Sequence, residues 1–297
     1  MYAVGLNGGA APGVSVERYD PRTGTWTEVP SNLDPLRSSG VCALGNRLFL
    51  TGGVDLGASR CLATTHCYDT DTRARVSVAP MPAARSSHRA CVVGGCIYVL
   101  GGWDDRLQVR STCWQYNAGG NAWSVMQPMP RPVAEFAACV LGTDIYVMGG
   151  HDGEYVTRND VYRYNTETGE WTELAPMPER KRCLSACAMN GSVYALGGSS
   201  HRPGRSRIMH KYDPATNAWE EVASMPTARS ELGATALGGF LVAAGGELTL
   251  STTTDVVERY DPSTDSWTEM QPMGTACRVL GMCSVAQEGS TVNWFDA

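Results

Sequence analysis

The chain has 297 residues, a net charge of −6, 33 glycines, 16 prolines and 11 cysteines. An acidic balance argues against a nucleic-acid binder, which needs a cationic footprint for the phosphates. No apolar run approaches the ~18 residues that span a bilayer, and the N-terminus lacks the basic-then-apolar layout of a secretory leader. The cysteine count is odd, without a CxxC pair, so reduced thiols in a reducing, cytoplasmic compartment are expected rather than a disulfide framework.

Taken in order, the chain opens on Met1-Tyr2-Ala3-Val4-Gly5-Leu6, a worn copy of a phrase that returns five times. RLFLTGG ends at Gly53, CIYVLGG at Gly102, DIYVMGG at Gly150, SVYALGG at Gly198 and FLVAAGG at Gly246, a period of about 48 residues. Repetition at a fixed period means one array of stacked units rather than several domains. After each glycine pair come a polar loop and a strand ending in Tyr19, Tyr68, Tyr116, Tyr164, Tyr212 or Tyr260. A turn follows, then a strand centred seven residues later on Trp26, Trp123, Trp171, Trp219 or Trp267, with Arg75 in the missing place. Turns such as Asp20-Pro21-Arg22-Thr23-Gly24 supply fixed or positive φ, so these two strands form a hairpin. Pro-Met-Pro links, as at Pro128-Met129-Pro130, then interrupt the ladder. An apolar strand carrying Cys42, Cys91, Cys139, Cys187, Thr235 or Cys283 leads into the next phrase. Those cysteines read as a layer of small core residues, since free Cys packs as a small hydrophobe.

Four short strands per repeat over six repeats predict an all-β fold of four-stranded antiparallel blades. The double glycine, the Tyr and the Trp seven residues later resemble the Kelch repeat, over nearly the whole chain. That resemblance implies a six-bladed β-propeller whose innermost strands line a central channel. The chain starts at a second strand, and Cys277–Val285 reads as a lone first strand. The two ends are therefore expected to share one blade, closing the ring and removing an open edge. The expected blades are 1–31 plus 275–287, then 32–80, 81–128, 129–176, 177–224 and 225–274, in a single propeller. Leu6 departs from the glycine pair. Arg75 departs from the Trp, and because truncating a buried Trp costs about 3–5 kcal/mol, the second blade is expected to be the least well packed.

No catalytic constellation is visible. His66, His88, His151, His201 and His210 show no i, i+4 pairing and no repeated carboxylate partner, so no metal, cofactor or enzymatic role is expected. The glycine pairs end a strand without a following helix or Lys, so they read as a bend with close backbone approach rather than a phosphate loop. Binding is the better reading, because the loop after each glycine pair and the link before each innermost strand emerge on one face. Fifteen residues before the first glycine stand Arg37, Ser86, Ala134, Arg182 and Ser230, with Arg278 in the sixth place. One position earlier come Leu36, Arg85, Val133, Lys181, Arg229 and Cys277, and directly after the pair come Asn7, Val54, Trp103, His151, Ser199 and Glu247. The candidate peptide-binding residues are thus Arg37, Arg85, Ser86, Trp103, His151, Arg182, Arg229, Ser230 and Arg278. Of 24 cations, 22 are arginine, whose planar fork suits carboxylates. The arginines have a plain structural alternative, bonding to a neighbouring blade's backbone, and Asp55, Asp104, Asp105, Asp152, Glu154, Glu231 and Glu247 share the face.

The repeats look most like the Kelch domains of BTB–Kelch proteins. That resemblance implies a protein-binding propeller that recognises a short acidic segment of a substrate, with cullin ubiquitin-ligase engagement through domains outside this stretch. Two alternatives stand beside it: an actin-binding or cytoskeletal scaffold, and a carbohydrate-processing enzyme of the kind found among bacterial Kelch propellers.

Overall fold

A computed structural model describes residues 1–7, 13–31, 33–34, 36–154, 156–200 and 204–284. His201 and the expected blade residues 285–287 lie outside them. Every element in the strand order is β, and 24 strands fall into six four-stranded antiparallel sheets. The first sheet runs Cys277–Cys283, Tyr2–Asn7, Val14–Asp20, Thr25–Glu28, so the two ends of the described chain do meet in one blade. Tyr2 pairs with Cys283 and Asn7 with Cys277. The third blade, Arg89–Val93, Cys96–Leu100, Cys113–Asn117 and Ala122–Met126, shows the plain pattern. Its second strand is almost wholly buried, because it sits mid-blade with a neighbouring sheet on either face, while the outermost strand carries exposed Val125.

The cysteine layer is core. Cys91 packs with Tyr98, Met129, Phe136 and Tyr164 between the third and fourth blades, and Cys139 with Leu184 and Tyr212 in the next seam. Burial holds the Cys91 and Cys187 thiols up at about 12, so they are inert, un-ionised hydrophobes at neutral pH. All eleven cysteines are free.

The glycine pair joins the blades. The second glycine donates its N–H to a carbonyl of the next blade's link: Gly53 to Arg85 at 2.7 Å, Gly102 to Val133 at 2.9 Å, Gly150 to Lys181 at 2.8 Å, Gly198 to Arg229 at 2.9 Å and Gly246 to Cys277 at 2.9 Å. The first glycine makes room for that bond. A Cβ on Gly101 would lie 2.5 Å from the Val133 carbonyl oxygen and 2.7 Å from Met129 Cε, and the φ of 58° disfavours any side chain. The link methionine (Met81, Met129, Met177, Met225 or Met273) fills this same corner in every seam that has the pair, and it is buried each time. In the first repeat Gly5 stays extended and Leu6 is buried. There the strand runs straight on against Cys277, with a register shift between Val4 and Gly5.

A second tie runs round the outside. Trp123 Nε1 donates to the Ala79 carbonyl at 2.8 Å while the Ala79 N–H donates to Asn121 Oδ1, so one residue of the preceding blade's link is held at both ends. Trp219 with Asn217 grips Ala175 in the same way, and Trp267 with Asp265 grips Ala223. These tryptophans are only half-buried. Arg75 therefore costs the second blade less than a buried Trp would, and it supplies its own tie: Nη2 reaches Asp34 at 2.5 Å and His66 Nε2 at 3.1 Å. That hydrogen bond is the main reason the Asp34 carboxyl is held below its usual range.

His88 occupies the core position filled by Phe136, Leu184 and Leu232 in the following repeats. Its Nε2 accepts from the Gly40 N–H at 3.2 Å and meets Thr51 Oγ1 at 2.8 Å. Burial above all, with Arg89 and Arg85 nearby, pushes its pKa down to about 3.

Two outcomes are expected. Gly101→Ala should cost well over the ~1–2 kcal/mol of a left-handed non-glycine residue, because Cβ also strikes a carbonyl; Gly142→Ala, which meets nothing within 4 Å, should cost no more than that. Urea denaturation of both variants checks the ranking. For His88, the unfolded chain takes up a proton near pH 6.5 and the fold only near 3, so stability is full above pH 6.5 and falls as pH drops between those values. Relative to His88→Leu, the wild-type should lose about 2 kcal/mol between pH 8 and 5, read from urea titrations at each pH.

Candidate functional site: the channel mouth

The innermost strands enclose a central channel of about 400 Å³, lined by small residues such as Ala90, Ala138, Ala186, Ala234 and Gly281. At one end the links and the loops after the glycine pairs come together. The sequence alignment matches the register in five blades, where Arg37 pairs with Val54, Ser86 with Trp103, Ala134 with His151, Arg182 with Ser199 and Ser230 with Glu247; in the first blade it is off by one, Arg278 pairing with Leu6 and Cys277 with Asn7. In the second blade this lip is a small sheet of Leu36–Arg37, Val54–Asp55 and Arg60–Cys61.

The residue after each lip position turns into the throat with positive φ: Ser38 at 59°, Ser87 at 51°, Glu135 at 56°, Cys183 at 53° and Glu231 at 51°. Such values are uncommon for residues with a Cβ. They persist because backbone bonds pass from blade to blade here. Ser87 N–H donates to Ser38, Glu135 to Ser87, Cys183 to Glu135, Glu231 to Cys183 and Val279 to Glu231, at 2.7–3.1 Å. This collar is a strained, over-determined ring of the sort found at functional sites.

The nine candidate residues divide sharply. Arg37 is exposed on the lip and has no ion pair among the described residues. Arg182 and Arg278 also reach the mouth, but each holds a mouth carboxylate. Arg182 Nη1 lies 2.9 Å from Glu135, and Arg278 Nε bonds Glu247 and lies 3.6 Å from Glu231. Trp103 is half-buried at the lip, its ring tilted against His151 with centroids 5.7 Å apart. His151, Ser86 and Ser230 stand in the lip with buried side chains; His151 Nδ1 accepts from the Gly153 N–H.

Arg85 and Arg229 are not mouth residues, which corrects the sequence expectation. Arg85 donates to Thr112 Oγ1 and the Ala84 carbonyl and lies over the Trp114 ring at 4.6 Å. Arg229, 0 % exposed, donates to the Gly245, Val256 and Ala243 carbonyls and pairs with Glu258 at 2.6 Å. The strand alternation explains both. One step along an extended link moves a side chain from the lip to the blade interior, where it meets the residue two before the repeat Tyr. Lys181 obeys the same rule, bonding the Ile208 carbonyl, and burial lowers its pKa.

The acidic residues of this face are largely used up within it. Asp104 takes Arg110 and the Arg106 and Gln108 N–H groups, and Asp152 takes Arg158 and the Glu154 and Val156 N–H groups. Glu231 is pushed up toward its neutral form, first by burial and then by Glu247. On the Arg37 side the lip carries both signs, since Asp55 opposite Leu36 accepts only the Gly57 and Ala58 N–H groups among the described residues.

Sequence reasoning passed over the throat itself. A cavity of about 50 Å³ is lined by Arg37, Ser38, Ser87, Arg89, Glu135 and Glu231, among others. Arg89 carried a legible signal. Two residues before the repeat Cys the chain reads Gly40, Arg89, Ala137, Ser185, Gly233 and Gly281, and one arginine among five small residues marks where the channel is occupied.

Among the described residues, no group of three His, Cys, Asp or Glu side chains is arranged to hold a metal, and no helix is long and apolar enough to cross a membrane.

This geometry defines the class: a six-bladed propeller with arginines and carboxylates around its mouth. The KLHDC2/KLHL20/DRC7 Kelch-repeats domain matches residues 5–182 and 87–292, and the chain belongs to the Kelch-repeat family. Curated relatives include Kelch-like protein 21 of Danio rerio, 37% identical over 91 residues, which is 30% of this chain and 14% of that protein. Kelch-like protein 23 of Homo sapiens is 35% identical over 89 residues, 30% of this chain and 16% of that protein. The matched stretch thus spans about one seventh of these relatives' length. The solved structure of YjhT superposes with a TM-score of 0.77 at 14% identity, covering 91% of this chain and 98% of that one, a likeness of fold.

Proposed function

We propose that this propeller is a cytoplasmic protein-interaction domain that holds a short acidic segment of a partner protein across its mouth, serving as the substrate receptor of a cullin-RING ubiquitin-ligase adaptor. The observation that carries the binding reading is Arg37. An exposed guanidinium on a rigid lip, without an ion pair among the described residues, offers a two-point carboxylate contact with little reorganisation. Trp103, on the lip of the next blade, supplies an aromatic surface. Leu107 and Leu250, 77% and 83% exposed on the loops of the third and sixth blades, supply apolar contacts on either side. The receptor role is supported by the Kelch-like relatives and concerns the protein as a whole.

A non-catalytic role fits the way each repeat uses its signature residues. The glycine pair, Tyr, Trp and link Met all tie blades together, which leaves the variable lip positions for recognition. A scaffold that binds actin would use the same face or the blade edges, and actin co-sedimentation separates it from a peptide receptor.

Selection of a random dodecapeptide library on the purified protein tests the reading. Enriched peptides should carry Asp or Glu, and Arg37→Glu should weaken their binding at least tenfold while leaving thermal unfolding unchanged. Enrichment without acidic residues, or affinity indifferent to Arg37→Glu, would contradict it. The reversal is best made at Arg37, because Arg182 and Arg278 already hold Glu135, Glu231 and Glu247, and reversing them would crowd carboxylates together.

A further inference from the structure

The throat below the lip contains a charge that the fold does not account for. Arg89 begins the innermost strand of the third blade and faces both the throat and the channel beneath it. Among the described residues its guanidinium makes no hydrogen bond and no ion pair. Glu135 and Glu231 act on it through space, but neither comes within ion-pair distance. Both carboxylates already have their own arginines, Arg182 and Arg278. The throat lining holds three arginines, Arg37, Arg89 and Arg278, and two carboxylates, and at the rim Arg182 holds Glu135 while Arg278 also bonds Glu247. Arg37 and Arg89 are the lining arginines that hold no carboxylate among the described residues.

A half-buried guanidinium with no fixed acceptor is costly unless something else supplies one. Burial lowers the pKa of Arg89, which is the sign of that cost. The surroundings are otherwise built for recognition: Ser38 and Ser87 stand on the strained collar beside Arg89, and the small residues at its equivalents in the other blades keep the passage open. Size narrows the occupant. A cavity of about 50 Å³ takes a few waters or the tip of one side chain, far less than the space a free metabolite needs.

We propose that Arg89, with Arg37 above it, forms a carboxylate-recognition site in the throat that takes one Asp or Glu side chain inserted from the bound partner segment. This rests on the interaction reading above and adds where the acidic residue goes. Arg37 meets the carboxylate at the lip, where water competes for it. Arg89 meets it below the collar, where the hydrogen bonds are shielded and discriminate a carboxylate from the isosteric amide. The site would thus read one position of the segment strictly, while the lip tolerates variation around it.

The test is a double-mutant cycle on a peptide enriched by the wild-type protein. Changing its critical Asp or Glu to Asn or Gln should weaken binding to the wild-type at least tenfold. The same change should make less than a twofold difference on Arg89→Met, which keeps the aliphatic stem. An undiminished loss on Arg89→Met would overturn the throat site and leave peptide binding intact, with the carboxylate read at the lip. Recovery of no peptide by the wild-type would overturn the interaction reading and this inference with it. A second measurement needs no peptide. Crystals soaked in sodium bromide should show an anomalous peak beside the Arg89 guanidinium that is missing in Arg89→Met, and a throat without bromide in both would overturn the site.

Discussion

One hydrogen bond recurs through this molecule and the rest depends on it: the second glycine of each pair donating to the carbonyl of the next blade's link. A sheet of four short strands cannot bury both faces alone, so a blade is stable only against its neighbours. The bond from Gly53, Gly102, Gly150, Gly198 or Gly246 sets where the neighbouring link crosses. It also explains why two glycines are needed. The first leaves space for that carbonyl, since any Cβ there would strike it or the link methionine behind it, and the second, at φ of 89–108°, leaves space for its own blade's lip, where a Cβ on Gly102 would lie 2.5 Å from the Ser86 carbonyl oxygen. Placing that carbonyl places the lip residue that follows it, and then the collar residue with its positive φ. Binding geometry is thus a by-product of blade packing.

Much of this was legible in the sequence. The period gave the blade count, the start at a second strand foretold that the two ends would share a blade, and equal spacing from the glycines aligned Arg37 and Arg182 on one lip, with Arg278 one residue out of that register. What could not be read was side-chain direction along the links. Arg85 and Arg229 stand one residue from lip positions and look alike on paper, yet one step inverts them into the interior, where Trp114 and Glu258 wait. The partners of Arg182 and Arg278 were equally hidden, because Glu135 and Glu231 belong to neighbouring links some 48 residues away. Arg75 was read as a loss through its identity alone, and Asp34 on the preceding link turns it into a replacement tie.

The mouth balances its charge unevenly. Arg182 and Arg278 hold glutamates directly, whereas Arg37 and Arg89 hold no carboxylate among the described residues. Exposed pairs of this kind contribute little to stability, so their value is in shaping the field that a charged segment meets on approach. The inert cysteine layer and the shared-blade closure serve the same end by keeping the ring rigid, so that recognition does not have to order the scaffold first.

The central claim is that the glycine-to-carbonyl bonds hold the ring as one cooperative unit. Native-state hydrogen exchange measures it directly. The amides of Gly53, Gly102, Gly150, Gly198 and Gly246 should exchange only through global unfolding, as slowly as the innermost strands, and their protection should fall in step with those strands as denaturant is added. Amides that exchange through separate local openings, orders of magnitude faster than the strand cores, would contradict the account.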